Sequence, residues 1–309
     1  MLFKQFAVTC LFIFGAHAAT TSDKTYIVTL KPGANLESHA TERREGFEIK
    51  HTYSTVFNGY AAALSPSALN AIRASNDVQS IELDQTFSLP GEAASFAYAQ
   101  IGKAKIPLDK KVDGGAGVDI YFFDTGIDIT RPCFGGRARW GATFGGYGDA
   151  DGNGHGTAMA ASALCAEAGG TATSASGVAV KVLSDSGSVL SDSGSGTTSA
   201  IISGINWAVQ QYQLIGRPSI GVMAIAGAAS TAMDNAVAAA VNAGFHMVVT
   251  AGFSNMPINV SPAVTVGALP RTKAYPSNSN YGAGLDIWSF YPIACPAGIT
   301  GCTTPTNSV

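Results

Sequence analysis

The chain has 309 residues, of which 46% are hydrophobic and 13% charged, with a formal net charge of −3 and a pI near 5.9. This length allows a sizeable core in one or two domains, and so few charges exclude an extended disordered chain. No Lys/Arg-rich run or basic stripe is present, which argues against a nucleic-acid partner.

The N-terminus has the pattern of a secretory signal. Lys4 provides a positive start, Phe6–Gly15 is apolar, and Ala16-His17-Ala18 is a small-x-small cleavage site. The apolar run is too short to span a bilayer, and no later stretch is long and apolar enough to do so. Residues 1–18 are therefore predicted to be a signal peptide, and the mature chain is expected to be secreted and extracellular, without a membrane partner.

Residues 23–89 have the pattern of a small separate unit. Three short apolar stretches predict strands: Tyr26–Leu30, Val56–Leu64 and Asp77–Leu83. Ser65 or Ser67 is placed to cap a short helix before the last of them. Around Ser88–Ser95 the composition shifts to Pro, Gly, Ala and Ser, which indicates a linker. We therefore expect a small α+β unit followed by a connection.

From about residue 96 onward, apolar strands alternate with helix-compatible stretches. The predicted strands are Val118–Phe123, Gly177–Leu183, Gly221–Ala226, Phe245–Thr250 and Val264–Ala268. The predicted helices are Ala158–Ala168, Ser199–Tyr212 and Ser230–Ala243, the last with Ser230 as N-cap and Gly244 after its end. This alternation predicts an α/β domain with a doubly covered, mostly parallel sheet, in which ligands bind at the carboxyl ends of the strands.

Four cysteines remain once Cys10 leaves with the signal: Cys133, Cys165, Cys295 and Cys302. In an oxidising compartment an even number favours two disulfides, and four cysteines allow three pairings. The short loop that Cys295–Cys302 would close makes this pair the favoured one, but the sequence leaves the choice open. No set of Cys and His has the spacing of a zinc site.

A perfect tandem repeat occurs in the middle of the chain. Val182–Ser188 and Val189–Ser195 both read VLSDSGS. Two copies are too few for a solenoid, so we interpret them as a local duplication in a surface segment.

Two motifs have the pattern of a hydrolytic site. Asp124-Thr125-Gly126 ends an apolar strand, and the segment DGNGHGT (151–157) delivers His155 to the start of a helix. An Asp after a strand is often a plain turn, and a His in a Gly-rich loop is often simply solvated. Together they predict a pair in which His155 is a general base and Asp124 fixes its tautomer and stabilises the imidazolium.

These motifs resemble the Asp and His motifs of the subtilisin-like serine proteases, most closely the proteinase K branch. The similarity extends to four further segments: VFNGYAAAL (56–64), RPCFGGRA (131–138), Gly177–Gly204 and SNYGAGLDI (279–287). The resemblance implies a signal (1–18), a ferredoxin-like α+β pro-domain that templates folding and blocks the cleft (19–91), and a subtilisin-like α/β peptidase domain, incomplete at its C-terminus (92–309).

The resemblance also implies the partners. Two segments are expected to form the substrate cleft, and their residues are Gly194, Ser195, Gly196, Ala224, Ile225, Ala226 and Gly227. The expected occupants are a peptide or protein substrate and the chain's own pro-domain, in a monomer. No cofactor is expected; the family implies structural calcium, without ligands that the sequence identifies.

The chain departs from the family at decisive positions. The nucleophile segment Gly-Thr-Ser-Met-Ala is absent, and Phe253 stands where the family has an Asn whose amide stabilises the oxyanion. Loss of such a donor costs about 10²–10³ in rate. Without a nucleophile the covalent route is lost. The 309-residue chain is therefore predicted to be a catalytically inactive, truncated pseudoenzyme.

Two alternatives stay open. One is an active serine endopeptidase whose C-terminal sequence is incorrect, in which Asp124 and His155 keep their roles. The other is a binding protein, either a peptide-binding decoy or an inhibitor that acts through its pro-domain, because residues 24–89 look intact while the catalytic half does not.

Overall fold

The computed structural model describes residues 23–41, 46–89, 114–185, 194–251, 262–270, 280 and 282–291. These residues form a four-stranded antiparallel sheet, a seven-stranded parallel sheet, and a three-stranded sheet that joins the two units. The predicted fold class, an α/β domain with a mostly parallel sheet preceded by a small α+β unit, is confirmed.

The N-terminal unit has the strand order β2-β3-β1-β4. Its strands are β1 (Lys24–Leu30), β2 (Phe47–Tyr53), β3 (Gly59–Leu64) and β4 (Val78–Leu83), and its helices are α1 (Leu36–Thr41) and α2 (Pro66–Arg73). Ser65 caps α2 by accepting a hydrogen bond from Ala68 N at 3.3 Å. Strand β2 lies in a stretch for which the sequence analysis gives no strand. Its polar residues stand at alternate positions because one face of the strand is exposed.

The large sheet has the order β14-β13-β12-β10-β6-β8-β7, and its described pairings are all parallel. Its strands are β6 (Asp119–Asp124), β7 (Ala138–Thr143), β8 (Ser176–Lys181), β10 (Ser219–Met223), β12 (His246–Thr250), β13 (Val264–Pro270) and β14 (Ile287–Tyr291). Every residue of β6 is buried, as its apolar run predicts for a strand covered on both faces. Its carboxyl end carries Asp124.

Helices cover both faces of this sheet. They are α3 (His155–Leu164), α4 (Thr198–Ile215) and α5 (Thr231–Asn242), with single-turn 3-10 helices at Pro132–Phe134 and Ala166–Ala168. Alternate residues of β6 point to opposite sides: Phe123 packs in the core with α4 and α5, and Phe122 packs in the core with α3. The predicted cap of α5 is confirmed, since Ser230 Oγ accepts from Met233 N at 3.2 Å.

A three-stranded sheet connects the two units. Strand β5 (Thr86–Ser88) lies between β9 (Ser195–Thr197) and β11 (Ala226–Gly227) and is antiparallel to both. Ser88 and Leu89, at the start of the predicted linker, are hydrogen-bonded to the large domain. The rest of the predicted linker lies outside the described residues. Nothing local marks such short strands, since each exists only through its distant partner.

The Cys133–Cys165 disulfide joins two elements that follow the motif residues. Cys133 lies in the 3-10 helix after the Asp124 turn, and Cys165 is the C-cap of α3, which begins at His155. Of the three two-disulfide pairings that the sequence allowed, this bond belongs to the one that also contains Cys295–Cys302. The favoured pair, Cys295–Cys302, lies outside the described residues.

Each of the two VLSDSGS copies contributes only some of its residues to the described structure. The first copy supplies the buried Val182 and Leu183 after β8, and the second supplies Ser195 to β9. The two ends meet where Ser184 N donates to Ser195 O at 2.8 Å and Ser195 N donates to Ser184 Oγ at 3.0 Å. The described contacts therefore use the beginning of the first copy and the end of the second.

No helix in the described ranges is both long and apolar enough to cross a lipid bilayer.

Removing the disulfide with the double substitution Cys133→Ser and Cys165→Ser is expected to destabilise the chain. The bond closes a loop across a sequence separation of 32. A loop of this size contributes about 3–4 kcal/mol by restricting the unfolded chain. Urea unfolding followed by tryptophan fluorescence measures the change. Reduced wild-type protein should unfold at the same midpoint as the variant, and a variant as stable as the oxidised protein would contradict the prediction.

Deleting residues 186–192 leaves one VLSDSGS copy and is expected to preserve the fold. A shorter loop between Ser184 and Ser195 has a smaller closure entropy, so stability should rise by up to about 1 kcal/mol. Thermal unfolding measures this. Gly196→Ala is the matched control, because a Cβ there would lie 2.1 Å from Val182 O, and it should destabilise. A deletion variant that unfolds as readily as this control would show that the second copy has a structural role.

Candidate functional site

The predicted pair forms at the carboxyl end of the large sheet. His155 Nδ1 lies 2.8 Å from both carboxylate oxygens of Asp124, and both side chains are almost completely buried. Asp124 Oδ1 also accepts a hydrogen bond from Thr125 N at 2.7 Å. Because the carboxylate faces Nδ1, the ring is held so that Nδ1 carries a proton and Nε2 is the nitrogen for proton exchange.

Asp151 ties the two motifs together. Its Oδ1 accepts from Thr125 Oγ1 and from Gly154 N, both at 2.8 Å, and its Oδ2 accepts from Thr157 N at 2.8 Å. The role of Asp151 was not predicted from the sequence, although Asp151 begins the Gly-rich segment and is the carboxylate nearest to His155 along the chain. The sequence offers one indication of this role. Asp151 precedes two glycines, which have no side chains of their own to accept hydrogen bonds from the backbone N–H groups of this turn.

Two glycines bring the His155 helix onto the Asp124 turn. Gly154 is the N-cap of α3 with φ of 92°, a left-handed conformation that few other residues adopt. A Cβ on Gly156 would lie 2.1 Å from Gly126 O and 3.1 Å from Asp124 Cβ. No side chain fits there, so the spacing of the pair depends on this glycine.

The predicted cleft segments lie on either side of β5. Phe87 is paired with Gly196 on one side and Gly227 on the other, and Leu89 N donates to Gly194 O at 3.0 Å. A Cβ on Gly227 would lie within 2.4 Å of the Phe87 ring, so the glycine makes room for an aromatic side chain. Strand β5 of the chain itself therefore lies in extended form between the two segments that were predicted to form the cleft.

Of the other predicted cleft residues, some pair with β5 and others pack against the core. Ser195 and Ala226 pair with Ser88 of β5. Ile225 is buried in the core beneath β11, and Ala224 packs against the core on the α3 side. Two of the seven predicted residues, Ala224 and Ile225, therefore do not pair with β5.

Acidic side chains of the N-terminal unit cap two helices of the large domain. Asp84 Oδ1 accepts from Ser199 N at 2.9 Å, and Glu82 Oε2 accepts from Ala232 N at 3.1 Å. In both helices the N-cap residue takes the next amide, so each first turn is satisfied jointly. Burial raises the pKa of Asp84, and its hydrogen bonds with Ser199 oppose that rise.

A second set of contacts lies along α4. Asn206 Oδ1 accepts backbone N–H groups from Thr55 at 2.9 Å and from the residues on either side of it at 3.3 Å. The Tyr53 hydroxyl donates to Ser199 O at 3.1 Å, and burial raises its pKa. The loop after β2 is thereby fixed to the helix that follows the cleft strand β9.

Phe253, the residue at the predicted oxyanion position, lies outside the described residues. Within the described ranges no group of three or more His, Cys, Asp or Glu side chains is arranged to hold a metal ion.

The comparisons with known families match both units. Peptidase inhibitor I9 matches residues 25–90, and the Subtilase family matches residues 115–307. The first match covers β1 from its second residue onward and all of β2–β5, and the second match contains Asp124, His155, β9 and β11.

Individual relatives agree with this. Proteinase R of Parengyodontium album is 35% identical over 292 residues, which cover 89% of this chain and 72% of that protein. Subtilisin-like protease 1 of Arthroderma otae is 31% identical over 306 residues, and the chain covers 61% of it. A solved structure, that of a cold adapted subtilisin-like serine proteinase, is 33% identical with a TM-score of 0.50 and covers 59% of this chain and 66% of that one. The chain belongs to the subtilase family and carries an N-terminal inhibitor I9 domain, as the resemblance predicted.

Proposed function

We propose that Asp124 and His155 are the base half of a Ser/His/Asp site for peptide-bond hydrolysis. His155 would accept the proton of an attacking serine at Nε2, and Asp124 would stabilise the imidazolium that forms. The observation that carries the proposal is the 2.8 Å contact of His155 Nδ1 with both oxygens of Asp124. The extended strand β5 between β9 and β11 supports a role of these strands in binding a peptide.

The second part of the proposal is that the 309-residue chain does not itself hydrolyse peptides. Its sequence contains no Gly-Thr-Ser-Met-Ala segment, and Phe253 has no side-chain donor for an oxyanion. The chain spans only 61% of Subtilisin-like protease 1. A longer product that included a nucleophile segment would be a serine endopeptidase in which only Phe253 is anomalous.

We also propose that the chain is secreted as a monomer with residues 1–18 removed. The support is the signal pattern at the N-terminus and the disulfide, which forms in oxidising compartments. The peptidase domain is proposed to begin after residue 91.

A fluorophosphonate probe, which labels activated serines covalently, is expected not to label the purified 309-residue chain. The physical reason is that His155 has no serine to activate in this sequence. Gel fluorescence and intact mass measure labelling, and an active subtilisin-like protease is the positive control. A stoichiometric adduct that His155→Ala abolishes would overturn the inactive assignment and support the endopeptidase alternative.

A second candidate function is inhibition in trans by the I9 domain. The observation that favours it is the set of contacts between this domain and the large one. Strand β5 pairs with β9 and β11, and Asp84 and Glu82 cap α4 and α5. Each of these contacts uses a backbone group of the large domain, so its formation does not require a particular side chain there. The domain is therefore suited to bind a related active protease.

The fragment 19–91 is expected to inhibit a subtilisin-like protease at micromolar concentration or below. Asp84→Ala should weaken inhibition about tenfold, because a charged hydrogen bond to a helix N-terminus is lost. Inhibition constants from peptide hydrolysis measure this, with circular dichroism to check folding. Asp77→Ala, which removes an exposed carboxylate, is the matched control and should leave inhibition unchanged. A folded fragment without effect on any protease tested would exclude the function.

A further inference from the structure

Lys181 is a buried cation next to the candidate site. It is the last residue of β8, it is 0% exposed, and its Nζ lies 5.8 Å from the centroid of the Tyr147 ring. A buried ammonium group is costly unless it is paired and hydrogen-bonded. An apolar side chain of similar length would fill the same space, so packing alone does not explain a lysine here.

Lys181 contacts the first motif directly and the second motif through Asp185. Its Nζ donates to Thr125 O at 2.5 Å and to the Asp185 carboxylate. Thr125 is the residue directly after Asp124. Asp185 Oδ1 in turn accepts from Gly152 N at 2.9 Å, in the Gly-rich turn that leads to His155. One ion pair therefore connects the turn after Asp124 with the turn before His155.

Thr125 is the point through which Lys181 acts on the pair. Its carbonyl is held by Lys181, while its N–H donates to Asp124 Oδ1 at 2.7 Å. Its hydroxyl accepts from Gly156 N at 3.0 Å. All three polar groups of Thr125 are thus engaged. The carbonyl lies in the peptide unit after Thr125 and the N–H in the unit before it. Because the two units are joined at Thr125 Cα, a shift of the carbonyl would move this Cα and, with it, the N–H that faces the Asp124 carboxylate.

The Lys181–Asp185 pair is distinct from Asp151, which joins the same turns. Asp151 binds the Thr125 hydroxyl and the first turn of α3. Lys181 and Asp185 instead hold the Thr125 carbonyl and the start of the Gly-rich turn. Asp151 and the Lys181–Asp185 pair thus connect the two turns through different atoms. Together they restrict both the distance between the turns and the rotation of one turn relative to the other.

We propose that Lys181 and Asp185 are positioning residues for the Asp124–His155 pair. They hold the Thr125 peptide and the 152–155 turn so that His155 Nδ1 keeps its bond to Asp124. The inference depends on the proposed function, in which that bond sets the tautomer of a general base. Its test reads the bond itself and needs no turnover, so either idea can fail while the other stands.

The experiment compares Lys181→Met and Asp185→Asn in the full chain. The readout is the NMR signal of the proton on His155 Nδ1 and its exchange with solvent, measured well below the unfolding midpoint. We expect about tenfold faster exchange in each variant, as for the loss of one net hydrogen bond. Asp185→Asn keeps the shape of the side chain and alters a partly exposed group, so it decides the outcome if Lys181→Met does not fold.

Arg139→Met is the matched control. Arg139 pairs with the buried Asp119 at 2.8 Å, at the other end of the strand that carries Asp124. This variant should lower stability without changing the His155 signal. If Lys181→Met and Asp185→Asn behave in the same way, with a lower unfolding midpoint and unchanged Nδ1 exchange, the pair is only structural and the proposal is overturned.

Discussion

The site depends on the direct contact between the first turn of α3 and the turn after β6. Gly156 lies so close to Gly126 O that no side chain fits between them. A substitution there would lift the helix start away from the strand and lengthen the 2.8 Å contact between His155 and Asp124. The hydrogen bonds of Asp151 and of the Lys181–Asp185 pair join the same two turns. They can form only because Gly156, which has no Cβ, lets the turns approach each other this closely. The disulfide joins the C-terminal end of α3 to the 3-10 helix that follows the turn after β6.

The I9 domain supplies partners for backbone groups that the large domain leaves unsatisfied. Strands β9 and β11 do not pair with each other, and both pair with β5. The second amide of α4 and that of α5 are each satisfied by a carboxylate of the I9 domain. Because unsatisfied amides at a helix start and open strand edges otherwise need water, the two units are stabilised together. Strand β5 therefore completes a sheet with two strands of the large domain.

The sequence predicted the features that are encoded locally. The buried strands, the cap at Ser230 and the adjacency of Asp124 and His155 to a strand end and a helix start all followed from short patterns. Features that depend on distant partners were missed or left open: the strand pairing of β5, the choice of Cys133–Cys165 among three pairings, and the role of Lys181. The predicted strand Gly177–Leu183 contained Lys181, but nothing in the neighbouring residues indicated what would pair with its charge. Only the fold shows that Lys181 is buried and lies between two turns.

The repeat has a consequence for how this family member can change over time. The described contacts take Val182–Asp185 from the first copy and Gly194–Ser195 from the second. Since the copies are identical, a chain that gained or lost one would present the same amino acid at each of these contacts. Copy number can therefore drift among related chains without compensating substitutions elsewhere. Divergence between the copies, rather than their number, would be the mark of selection on this segment.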